Sequence, residues 1–75
     1  MANSRVEQGR KSKKTIIDFF ANNPHWIDIK TLTNITGING NSVRIHCMNL
    51  TMEGYLEEAK LLVGVRKIIH YRRRG

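Results

Sequence analysis

The residues of this sequence best equipped for chemistry are Asn41, Ser42, Arg44, Ile45, Met48 and Asn49, a cluster that contains no acidic side chain. Their chemistry is recognition and not bond making. Asparagine and serine carry donors and acceptors together, arginine carries a rigid fork of donors with a permanent charge, and isoleucine and methionine offer apolar contact. Arg44 can bond a guanine bidentately and Asn41 can do the same with an adenine, while Ser42 suits either a base or a phosphate. Asn41 equally suits capping a helix. Ile45 and Met48 suit spill-over from a core or a dimer surface more often than a base, although Ile45 can also meet a thymine methyl.

Other chemistries find little support. No pair of carboxylates sits in an apolar context, no Ser-His-Asp arrangement has a meaningful placement, and no glycine-rich loop is built to cradle phosphate, so the chain reads as non-enzymatic with no small-molecule substrate. His25, His46 and His70 stand far apart, which gives neither a metal site nor a cofactor site. The single cysteine, Cys47, falls among apolar positions and reads as packing; alone it forms no internal disulfide, which points to a reducing, cytoplasmic setting. The longest uninterrupted apolar run, Leu61 to Val65, is too short to span a membrane.

Charge narrows the partner. The chain of 75 residues has 13 basic against 6 acidic residues, a net charge of +7, which favours a polyanion. The cations gather at the two ends, with Arg5, Arg10, Lys11, Lys13 and Lys14 in the first and Arg66, Lys67, Arg72, Arg73 and Arg74 in the last; only Lys30, Arg44 and Lys60 lie between.

The elements that must position these groups are legible in outline. A chain of this length forms one small domain, burying only about 60 % of the surface its unfolded form exposes. Residues 1–11 are polar and charged around a lone Val6, and we expect a flexible basic arm there; residues 12–72 form the domain and 73–75 a basic tail. Ser12 suits the cap of a first helix over about Lys13 to Asn22, with Ile16, Ile17, Phe19 and Phe20 as its apolar residues and Pro24 blocking its continuation. His25 to Ile27 is a short extended segment. Asp28 then caps a second helix whose inner face is Ile29, Leu32 and Ile35 and whose end is Gly37. Asn39 to Ser42 supply caps for a third helix, from Asn41 or Ser42 to about Glu53, with Val43, Cys47 and Leu50 turned inward and Gly54 as its stop. Two strands follow, near Tyr55 to Leu61 and Arg66 to Tyr71, joined around Val63-Gly64 or by a longer loop through Leu62 to Val65. Leu56, Ile69 and Tyr71 suit the side facing the helices, and Trp26 suits core cover.

The capped Asp28, the Thr36-Gly37-Ile38 turn, the Val43, Cys47 and Leu50 stripe and the Glu53-Gly54-Tyr55-Leu56 entry to the hairpin together resemble the winged helix-turn-helix regulators of bacteria and their phages. In size the chain is similar to the regulators of pilus operons. Cys47 stands where leucine is usual, and Ile45 where a polar residue is usual. The resemblance implies an α+β fold of three helices with a C-terminal β-hairpin wing, helix three in the major groove and the wing on the flanking backbone or minor groove. It also implies sequence-specific binding of double-stranded DNA and a role in transcription regulation, or in phage replication or excision. On that reading Asn41, Ser42, Arg44 and Ile45 meet bases, while Lys30, Asn39, Lys60, Arg66, Lys67, Arg72, Arg73 and Arg74 meet the backbone. The alternatives are a protein-binding winged helix that engages an acidic host or phage partner through Ile45 and Met48, and non-specific nucleic-acid binding. A homodimer is compatible with each.

Overall fold

The computed structural model describes residues 4–75, with side chains from Arg10 onward. It is an α+β arrangement of three helices and a three-stranded antiparallel sheet in the order α1 (Ser4–Asn22), β1 (Ile27–Asp28), α2 (Ile29–Thr36), α3 (Gly40–Met52), β2 (Leu56–Val63) and β3 (Arg66–Arg73).

Helix α1 starts at Ser4 and not at Lys13, so most of the expected arm is helical; its residues 1–3 lie outside the described residues. The stretch from Arg5 to Lys11 is dominated by arginine, glutamate, glutamine and lysine, all good helix formers, and the packed second half supplies the nucleus onto which they add. Being polar, these turns leave no apolar periodicity to read. Ser12 lies inside the helix instead of capping it. At the other end the Asn22 and Asn23 side chains donate to the Asp18 and Phe19 carbonyls, each at 2.9 Å, and Pro24 prevents a further turn.

Asp28 ends β1 and begins α2. In β1 it lies opposite His70 of β3, and its carboxylate accepts from the Thr31 N–H at 3.3 Å as the cap of α2. Gly37 closes α2 at φ 72°, a conformation that costs glycine nothing. Leu32 alone is buried on α2; Ile29 packs against the core from one flank, whereas Ile35, expected to face inward, is 59 % exposed on the other. A helix of two turns meets the core along a narrow stripe, and Ile35 falls outside it.

Helix α3 is capped by Asn39, whose side chain accepts from the Asn41 N–H at 2.8 Å, so it begins at Gly40 and not at Asn41 or Ser42. Val43, Cys47 and Leu50 are fully buried along its inner stripe. The chain then leaves through Gly54 at φ 84°, and the Tyr55 hydroxyl donates to the Ile17 carbonyl of α1 at 3.2 Å.

Strands β2 and β3 run farther than the sequence suggests and pair in register from Leu56↔Arg73 to Val63↔Arg66. Their connection is the two-residue turn Gly64-Val65, with Gly64 at φ 64°; neither the turn at Val63-Gly64 nor the longer loop is formed. Glycine at the first central position, with positive φ there alone, suits a type II′ turn, whose twist matches paired strands. Strand β1 adds to the other side of β3, giving the order β1-β3-β2. Leu56 and Tyr71 are buried beneath the helices with Ile69 packed beside them, and the core is completed by Ile16, Phe20, Leu32, Val43, Cys47 and Leu50. Every helix, together with β2 and β3, therefore contributes at least one side chain to a single core.

Candidate nucleic-acid interface

The start of α2, the first turns of α3 and the hairpin half of β3 converge on one cleft, lined by Asp28, Ile29, Lys30, Asn41, Arg44, Lys67, Ile68 and Ile69. Three cations meet there from three separate elements. The one carboxylate among the lining residues, Asp28, is engaged in capping α2. At neutral pH the cleft thus carries net positive charge, and its lining of long basic side chains and one amide matches the donors that phosphate oxygens accept from.

Beside the cleft runs the outward face of α3. Because Asn39 serves as the cap, Asn41 is relieved of that role and its side chain is exposed; Arg44 next to it is exposed as well. Asn41, Ile45, Met48 and Met52 follow one another along the line opposite the buried stripe, with Ile45 57 %, Met48 46 % and Met52 84 % exposed. Ser42 turns partly inward and is half-buried. The face is polar and cationic in its first turn and apolar in its last two.

The other expected contact residues divide in three. Lys67 lies opposite Leu62 and shares the helix side of the sheet with Ile69 and Tyr71, so it reaches the cleft; Lys60, opposite Ile69, lies on that same side but one strand farther out. Arg66 alternates to the opposite side of the sheet, where Ile68, His70 and Arg72 follow it. Arg73 and Arg74 are exposed at the far end of β3, about 24 Å from the turn at a rise of about 3.4 Å per residue. The cations of the C-terminal segment, contiguous in composition, are thus spread over two ends and two faces.

Arg72 is the clearest departure. Its Nε donates to Glu57 Oε1 at 2.7 Å, its Nη2 binds the same oxygen, and its guanidinium lies 4.5 Å from the centre of the Trp26 ring. It holds the edge β1 segment to β2 across β3, and Trp26, expected as core cover, serves as the stacking platform. Nothing local announces this trio, since Glu57 and Arg72 become neighbours only through the hairpin register. Lys13 similarly pairs with Glu53 at 3.3 Å, joining α1 to the end of α3. Asn39 is exposed but committed to its cap.

The titratable core groups are built for packing. Burial pushes the Cys47 thiol up to about 12, which keeps it protonated and poorly nucleophilic at neutral pH. Burial first, then the neighbouring Glu58 carboxylate, push the Tyr71 hydroxyl up to about 12 as well. Desolvation, assisted by Lys13, holds His46 below its ordinary value. Among the described residues no three histidine, cysteine, aspartate or glutamate side chains gather where a metal could sit, and no helix is long and apolar enough to cross a membrane.

Comparison with known proteins adds no relative: no protein-family model matches the chain, nor does any curated protein or solved structure at a significant level.

Proposed function

We propose that this chain is a winged helix-turn-helix domain that binds double-stranded DNA sequence-specifically, with α3 in the major groove and the β2–β3 hairpin as the wing. The observation that carries the reading is the convergence of Lys30, Arg44 and Lys67 on one cleft beside a first turn of α3 that has no acidic residue. The connection order helix, short strand, two helices, hairpin, with β3 central in the sheet, supports the same reading. Lys30 and Lys67 hold phosphates, Arg44 and Asn41 read base edges, and Ser42 sits where it can assist either. Lys60, Arg66, Arg73 and Arg74 add attraction that falls with salt and carries no sequence information. Regulation would proceed by occlusion or recruitment at an operator in the cytoplasm, without catalysis or cofactor.

The test is selection of bound duplexes from a random pool at fixed salt, followed by affinity measurements on the selected and a scrambled duplex. Arg44→Ala should cost about 1–3 kcal/mol on the selected duplex and much less on the scrambled one. Equal losses on both would reduce Arg44 to a phosphate contact and remove base reading from α3.

The apolar line of Ile45, Met48 and Met52 favours a second reading, in which the later turns of α3 bind an acidic protein partner. In that case Ile45→Ser with Met48→Ser leaves duplex affinity within about threefold while abolishing partner capture. Loss of duplex binding by the double variant would instead assign these side chains to DNA.

A further inference from the structure

Strand β2 has a partner on one side only. Among the described residues nothing pairs with the other edge of its eight residues, whereas the opposite edge of the sheet is partly covered by β1. An edge of this length presents a row of N–H and C=O groups ready to pair with another strand, and proteins that avoid such pairing shorten, bend or uniformly charge it. Here the side chains do something else. On the helix side of the sheet the row reads Leu56, Glu58, Lys60, Leu62, so from either end it is apolar, charged, oppositely charged, apolar.

We propose that the β2 edge is the contact through which this chain pairs with a second copy of itself. Antiparallel pairing centred on Ala59 sets Glu58 opposite Lys60 of the second copy, and by symmetry Lys60 opposite its Glu58. The same register sets Leu62, 69 % exposed in the single chain, opposite Leu56. Directly opposed residues in an antiparallel pair stand on the same face with Cβ atoms about 5 Å apart, close enough for both ion pairs. The twofold axis is perpendicular to the sheet, so the result is a continuous six-stranded sheet with the helices of both copies on one side. Glu57 and its partner Arg72 lie on the other face and take no part in these pairs. The net charge of +7 on each copy opposes the contact at long range, so the specific pairs decide whether it forms.

The register makes an unusual demand that charge alone does not. Lys60→Glu lowers the net charge from +7 to +5, which by long-range repulsion alone should tighten self-association; the register instead places carboxylate against carboxylate and should loosen it. E58K places cation against cation. An equimolar mixture of K60E and E58K restores opposite charges at both positions, and so does the double variant E58K/K60E in a single chain.

Sedimentation equilibrium without nucleic acid, at low salt and over a wide concentration range, tests this independently of any DNA reading. The unaltered chain should dimerise; K60E alone and E58K alone should each weaken the dimer about tenfold or more, and both the mixture and the double variant should return to within about threefold. Lys60 is exposed, whereas Glu58 neighbours the Tyr71 hydroxyl, so circular dichroism verifies the fold of both single variants alongside, and K60E carries the test if E58K loses structure. A chain that stays monomeric at the highest concentration, a K60E variant that associates as well as the original, or a mixture no tighter than its components would each overturn the proposal.

Discussion

The two halves of β3 carry the same kind of residue and use it in opposite ways. Near the turn, Lys67 extends into an open cleft with Lys30 and Arg44, where no acidic side chain beyond the occupied Asp28 competes for it. At the base, Tyr71 is buried among the helices, and Arg72 on the other face is held by Glu57 and Trp26. Basic residues therefore divide into those that build the fold and those left for a partner. Net charge counts both, although Lys13 and Arg72 are already held by carboxylates of the same chain.

Alkaline titration acts most strongly on the base. Cys47 and Tyr71 are both raised to about 12 in the folded chain, against ordinary values of 9.0 and 10.0, so the unfolded chain releases their protons first. Between those values the unfolded state binds fewer protons than the folded one, and stability falls as pH rises. Thermal unfolding followed by circular dichroism should hold steady below about pH 9 and fall steeply toward pH 12. Tyr71→Phe should flatten the upper part of that fall, and a midpoint independent of pH over this range would refute the account of the base.

Next in size is the contrast between two arginines. Arg72→Ala should destabilise the fold by about 1 kcal/mol, since it removes a half-exposed ion pair together with a cation–π contact, each of which contributes modestly at such exposure. It should leave duplex affinity nearly intact once the protein is folded. Arg44→Ala should do the reverse, with stability within about 0.5 kcal/mol of the original. If chemical denaturation and duplex titration fail to separate the two variants in this crossed way, the division between fold-building and partner-facing cations is wrong. The smallest effect belongs to Lys67→Gln, which should weaken all duplexes alike and reduce the slope of log affinity against log salt by about one.

What could be read beforehand follows the range of the forces involved. Asp28, Gly37 and the Val43, Cys47, Leu50 stripe act within a turn or two, and each takes its expected role. Lys30, Arg44 and Lys67 were recognisable as cations on the right elements, but their meeting in one cleft depends on packing. Ile35 is apolar in type and exposed in fact, because whether a helix flank is covered is decided by its neighbours. The cap of α3 shifted to Asn39 because Gly40 can enter the first turn, a choice among adjacent polar residues that propensity leaves nearly even. The structural role of Arg72 is not legible for a longer-range reason: a register between strands selects Glu57 as its partner, and no spacing along the chain encodes it.

Asp28 is at once the last residue of β1 and the cap of α2, paired across to His70 and bonded forward to Thr31. Between sheet and helix there is consequently no slack. In mechanical language the junction is a bracket: a torque applied to the hairpin passes through β3 and β1 directly into the axis of α2 and, across the tight turn at Gly37, into α3. A load met at the hairpin would reach α2 at a corner where no residue separates strand from helix.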